Sequence, residues 1–207
     1  MNLSSSASAG APKPIIFIGA GGHFRSVLDV ALSRGDSIVA GVLDDTLDVG
    51  TKVLGVPVLG RTSEVSAYRN SHSFHIAVGK IGKSMNRKDL GTSCWDAGAS
   101  LATLIASTAY VSPFAQVGEG TVVHHGAIIN AGAVIGRNTI VNSQSLVEHD
   151  AVVGDHCHIS TGALINGGVR LGHNSFVGSG AIVFQGLIFV EETVIPAGTV
   201  VSSQDQL

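Results

Sequence analysis

The sequence predicts two units: a small Rossmann-like parallel α/β domain over residues 14–100 and a parallel β-helix over residues 101–207. Three observations predict it. A strand, a Gly-rich turn and an amphipathic helix follow one another between residues 14 and 34. From residue 105 onward every sixth residue is apolar. The 207 residues include 27 Gly but only 13% charged side chains, which a tightly cornered coil explains.

Residues 1–13, rich in Ser, Ala, Gly and Pro, are expected to be disordered, and they carry no apolar core of a secretory signal. Residues 14–19 form an apolar run, read as a buried strand, and Ala20-Gly21-Gly22-His23 reads as a turn. A helix over 24–34 follows from Val27, Leu28, Ala31 and Leu32 on one face, with Gly35 as its stop. Further strands are expected at 37–43, 53–59 and 73–78, the first running into Asp44-Asp45. A helix over 81–98 is expected to break at Gly91. The alternation of strand and helix gives a parallel sheet with flanking helices.

The apolar series runs from Ile105 to Val201 in steps of six; all its members but Leu171 and Phe189 are Val or Ile. With apolar residues at 44% of positions, 17 consecutive matches have odds of roughly one in a million by chance. A period of six does not fit a helical face, which recurs every 3.6 residues. It fits a two-residue strand, a tight corner and the next strand. The β-branched residues point inward, and small residues four places later (Ala127, Ala133, Thr139, Ala151, Cys157) let the coil close. Three hexapeptides per turn put residues 18 apart in register, giving between five and six coils. Few charges remain for the outside, so apolar flanks are expected to be subunit interfaces.

A net charge of −3 carries no footprint for nucleic acid. No apolar run approaches the roughly 18 residues of a membrane span. Cys94 and Cys157 make no disulfide framework, and a cytoplasmic protein is expected.

Gly19-Ala20-Gly21-Gly22-His23-Phe24 nearly matches a dinucleotide fingerprint, with Phe24 in place of the third Gly. Bare N–H groups at the helix start suit a phosphate, and Asp44 or Asp45 suits a ribose or base donor. A tight turn without ligand is the plain alternative. NAD fits that turn, yet nothing in the chain reads as a hydride-transfer domain. In the coil, His149 lies just past inward Val147, so its side chain points out at a corner between Glu148 and Asp150. A carboxylate neighbour would raise its pKa and set its tautomer. One coil on stands Gly167, where a backbone N–H could be approached closely. His124, His125, His156 and His173 read as surface or interface residues, and Cys157 as inward core.

The Gly-Gly-His turn, the strand ending in Leu43-Asp44-Asp45, Gly79-Lys80 and the hexapeptides with Glu148-His149-Asp150 together resemble the sialic-acid O-acetyltransferase / bacillosamine N-acetyltransferase family of nucleotide-sugar acyltransferases. The resemblance covers residues 14 to 200. It implies a left-handed β-helix, a homotrimer, and acetyl-CoA bound between subunits as co-substrate, with no metal. It implies His149 as general base, Asp150 orienting it, and the Gly167 N–H as oxyanion donor. Asn142, His158 and Ser179 are implied on the acetyl-CoA side. Gly19, Gly21, Gly22, His23, Asp44, Asp45, Gly79 and Lys80 are implied around a nucleotide sugar, with a UDP-4-amino-4,6-dideoxy sugar the first expectation, in surface-glycan biosynthesis. O-acetylation of a sugar such as sialic acid is the alternative. A zinc carbonic-anhydrase-like trimer and a non-catalytic sugar-nucleotide scaffold are more distant ones. The chain departs from the family pattern in its end, Val201-Ser202-Ser203-Gln204-Asp205-Gln206-Leu207, in Ile105-Ala106-Ser107, and in Lys80, where Asn is frequent.

Overall fold

The computed structural model describes residues 13–83 and 86–203. The segment 1–12, expected to be disordered, lies outside the described residues, as does the end of the chain from 204. The first unit holds β1 (Ile15–Ile18), α1 (Gly22–Leu32), β2 (Val39–Leu43), β3 (Lys52–Val53), β4 (Val56–Gly60), α2 (Val65–Tyr68), β5 (Ser73–Ile76) and α3 (Asn86–Asp96). Its sheet runs β3-β4-β2-β1-β5, parallel except for the β3–β4 hairpin. All four β1 residues are buried, as a strand covered on both faces requires.

Two expectations are corrected. The run 53–59 is a hairpin rather than one strand, because Leu54 and Gly55 both take positive φ and reverse the chain. The third helix does not break at Gly91. That residue is buried, and a Cβ there would come within 2.4 Å of Asn138 Nδ2, so the glycine brings α3 close to the second unit.

The second unit is a left-handed parallel β-helix. Its strands are two residues long and fall into three sheets, the faces of a triangular column. Face one stacks Leu104–Ile105 through Val194–Ile195, face two Tyr110–Val111 through Val200–Val201, and face three Gln116–Val117 through Ile188–Phe189. Register confirms the 18-residue coil: Ile128 pairs with Leu146, and Leu146 with Leu164. The inward residues Ile129, Val141, Val147, Ile159, Ile165 and Val183 are fully buried in one continuous core.

The corners explain the glycine content. From Gly120 to Gly198 every sixth residue has positive φ, and most of these residues are Gly. For a residue with a Cβ this conformation costs about 1–2 kcal/mol. The non-glycine exceptions are Asn138, Gln144, Asp150, His156, Asn174 and Glu192. Four of them share the corner between faces three and one, where the α/β unit docks. There Asn138 Nδ2 donates to Arg87 O (3.0 Å), His156 packs on Trp95, and Asn174 Oδ1 accepts from Lys80 Nζ (2.7 Å). Side chains are needed at this corner, and the strain follows.

Buried Arg87 ties the units together. Its guanidinium donates to the carbonyls of Ile76 and Val78 in the first unit and of Gly120 and Asn138 in the second. Burial lowers its pKa to about 9, which leaves it charged at neutral pH. Apolar residues of face one (Leu104, Val122, Ile140) continue the core formed by Phe17, Phe24 and Val27. Among the described residues no helix is long and apolar enough to cross a membrane.

Candidate active site

The corner between faces two and three carries His149. Its backbone leaves the strand Leu146–Val147, and its side chain is 66% exposed. The next residue, Asp150, takes φ of 59°, which turns its carboxylate back onto the ring: Nδ1 donates to Oδ2 at 2.9 Å. That bond fixes the tautomer with Nε2 as the free base. The Asp150 hydrogen bond raises the His149 pKa above the ordinary imidazole value, and the nearby Glu148 charge adds to the shift. Glu148 is itself held, since its Oε2 accepts from Asn130 Nδ2 (2.9 Å) and from the His149 N–H (3.2 Å).

Gly167 lies one coil on, under the ring. A Cβ there would sit 2.7 Å from His149 Nε2, so only glycine leaves room for the imidazole. The neighbouring backbone is engaged: Gly168 N–H donates to His149 O and Gly186 N–H to Gly167 O. The Gly167 N–H donates to no group among the described residues. A base and an unspent donor therefore face one cleft of about 780 Å³, lined by Glu148, His149, Asp150, Asn166, Gly167 and Phe184 among others.

Asn142, His158 and Ser179 lie elsewhere on the column. His158 projects from face one and is buried; Asn142 and Ser179 follow face-one strands at the opposite edge of face two. His158 Nδ1 donates to Lys80 O (2.6 Å) and its Nε2 accepts from Asn142 Nδ2 (3.2 Å). Burial lowers its pKa to about 4, with the Lys80 carbonyl opposing the shift. Ser179 and Ser160 share a hydroxyl hydrogen bond of 2.9 Å. Within one chain this group and His149 occupy different corners.

The Gly-rich turn opens α1. Gly19 has φ of 93°, and a Cβ there would lie 2.6 Å from Val78 Cγ2. Gly21 and Gly22 are exposed, a Cβ at either would meet nothing within 4 Å, and no side-chain hydrogen bond among the described residues caps the helix start. His23 packs between Gly79 and the ring of His124; burial holds it neutral, and its Nε2 meets no partner among the described residues. Lys80 is buried, with Nζ directed at Asn174.

Asp44 supports both the Gly-rich turn and the turn that follows its own strand. Its carboxylate already accepts from Ala20 N, Thr46 N, Thr46 Oγ1 and Leu47 N. Burial pushes this carboxyl up, but those bonds together outweigh it and leave its pKa below the ordinary value. Asp45 is exposed, and its two oxygens accept from Thr62 N (2.9 Å) and Thr62 Oγ1 (2.7 Å). His124 is corrected. It is fully buried at the junction against Ser26 Oγ, and burial lowers its pKa to about 4. His156 is likewise a junction residue, with a pKa near 4 from burial. Cys157 is inward core, its thiol pushed up to about 12 by burial.

Sequence reading missed Asn130 and Arg87. The first was within reach by arithmetic: it stands 18 places before Glu148, one coil up. The second carried no signal, because its partners are backbone carbonyls.

Comparison with known proteins now bears on this geometry. Residues 14–90 match the PglD N-terminal domain family, and residues 132–167 match the bacterial transferase hexapeptide (six repeats). Perosamine N-acetyltransferase from Caulobacter crescentus, solved with CoA and GDP-perosamine, is 33% identical over 97% of this chain and 91% of that one, with a TM-score of 0.83. The chain belongs to this acetyltransferase family. The acetyltransferase domain of PglB from Neisseria gonorrhoeae, solved with acetyl coenzyme A, is 30% identical over 92% of this chain and 93% of that domain, with a TM-score of 0.83. WeeI from Acinetobacter baumannii, 24% identical over 90% of this chain and 95% of that one with a TM-score of 0.68, shares the fold. No curated protein matches the sequence. Membership makes the chain an acetyltransferase that uses CoA.

Proposed function

We propose that this acetyltransferase moves the acetyl group of acetyl-CoA onto the amine of a nucleotide-linked amino sugar, with His149 as general base. The observation that carries the reading is an exposed imidazole, held by Asp150, above a glycine whose N–H is unspent, in one cleft. The amine attacks the thioester carbon, Nε2 of His149 takes the amine proton, and the Gly167 N–H faces the oxygen as it gains charge. CoA leaves as the thiol once its sulfur is protonated. The perosamine N-acetyltransferase relative favours nitrogen over oxygen as the acceptor. Its GDP-linked ligand makes the base of the nucleotide an open specificity alongside the first-expected UDP.

The sugar nucleotide is assigned to the α/β unit, its diphosphate over Gly19, Gly21 and Gly22 and its sugar toward His23. Gly79 and Lys80 support that wall, and Asp45 is the exposed carboxylate near the base. His158, Asn142 and Ser179 are assigned to the acetyl-CoA side. The two groups adjoin each other, since His158 Nδ1 donates to Lys80 O (2.6 Å), and both lie away from the corner of His149, so one chain does not unite them with its own His149. A cyclic trimer would, because its contacts are heterologous and bring one edge against another. The outward residues of face two support such contacts: Tyr110, Ile128, Leu146, Leu164, Ile182 and Val200 form an apolar ladder. The substrates' chemistry fits surface-glycan assembly in the cytoplasm.

The test is incubation with acetyl-CoA and UDP-, GDP- and dTDP-amino sugars, read by mass. One nucleotide amino sugar should gain 42 Da (~42, one acetyl for one hydrogen), and His149→Ala should lose about 10²- to 10⁴-fold in kcat. Retention of more than a tenth of the wild-type kcat would reject His149 as the base. EDTA should leave the rate unchanged; its loss on chelation would overturn the metal-free scheme.

A further inference from the structure

We propose that Gly132 is a positioning residue for this transfer, its missing side chain forming the seat of the Asp150 carboxylate. The proposal rests on the reading of His149 as base. Gly132 and Asp150 stand 18 residues apart, on adjacent coils of one corner, where Asp150 N donates to Ala131 O at 3.1 Å. The two Asp150 oxygens have separate surroundings. Oδ2 accepts from His149 Nδ1, while Oδ1 lies over Gly132, 2.5 Å from where a Cβ would be.

Backbone alone does not demand glycine at this place in the coil. The equivalent turn position holds Asn138, Gln144, Asp150, His156, Asn174 and Glu192 in the same left-handed conformation. At Gly162, Gly186 and Gly198 a Cβ would meet nothing within 4 Å. At Gly132 it would meet the one carboxylate that holds the His149 tautomer. The pair is thus set between two glycines: Gly132 from the coil before gives room to the carboxylate, and Gly167 from the coil after gives room to the ring. A methyl group at 132 forces the carboxylate to rotate, and Oδ2 moves off Nδ1.

The experiment compares Gly132→Ala with Gly35→Ala, which imposes the same left-handed φ on alanine beyond the far end of α1, where a Cβ meets nothing within 4 Å. Both should unfold at similarly lowered temperatures. Gly132→Ala alone should lose about 10- to 100-fold in kcat, the scale of a misplaced catalytic group. It should also move the pH inflection of kcat/KM down toward the ordinary histidine value of about 6.5. With Asp150→Asn it should add no further loss. An unshifted inflection, or losses that multiply in the double variant, would overturn the proposal. Gly132→Asn, with a residue the turn accepts at 138 and 174, repeats the test if the alanine variant does not fold. His149→Ala separates the two readings. If that variant stays active, the base assignment has failed; if it is inactive while Gly132→Ala keeps the wild-type profile, only the seat has failed.

Discussion

At the scale of single residues, His149 works through its two neighbours in space. Asp150 selects Nε2 as the basic nitrogen and raises the pKa of the ring. In the proposed reaction the neutral ring is the base, so kcat/KM should rise with pH through an inflection above the ordinary value of about 6.5. Asp150→Asn removes the charge, so the inflection should fall while the plateau drops. An inflection that stays in place on this change would remove Asp150 from the role. Gly167→Ala probes the other side. It pushes a methyl group into the imidazole, and the expected loss is about 100-fold or more in kcat, of the order seen on removal of an oxyanion donor. Folding should be little affected, since φ at Gly167 is not in the left-handed region. Near-wild-type turnover in this variant would mean that the ring does not need its observed position.

At the scale of elements, the junction between α1, β5, α3 and face one is built from buried basic groups. His23, His75, His124 and His158 are kept neutral mainly by burial, and the side chains of Arg87 and Lys80 are buried beside them. Their folded pKa values lie below the ordinary 6.5, so the native state binds fewer protons than the unfolded chain in weak acid. The stability these groups allow is complete above pH 6.5 and declines as pH falls toward about 4 for His124 and His158. A shift of that size corresponds to about 3 kcal/mol for each at most. Urea midpoints should therefore fall between pH 6.5 and 4, and His124→Gln should flatten that decline. Parallel curves for variant and wild type would show that His124 does not titrate on unfolding in this range. The same junction accounts for the unusual corner residues. Asn138, His156 and Asn174 carry strained backbones because α3 and the loop after β5 need their side chains.

At the scale of the whole molecule, the three faces have separate tasks. Face one takes the α/β unit, and face two offers an apolar ladder with His149 at one edge and the Asn142–His158–Ser179 group toward the other. If face two forms the proposed trimer contacts, Leu164→Glu in mid-ladder should give monomers in light scattering and lose activity with the assembly. A variant that remains fully active as a monomer would separate the site from assembly. The period of six, the 18-residue coil, the inward Val and Ile and the place of His149 outside the column were all legible in the sequence, because a repeat fixes side-chain direction by position. Local spacing also put Gly167 one coil from His149. The sequence could not tell that His124 would be buried or that Gly91 would sit inside a continuous helix. Those outcomes depend on which surfaces of two units meet, and neither composition nor period encodes that contact. Tertiary packing decided them, because burial and hydrogen bonding across the junction set whether a polar side chain remains available to a ligand.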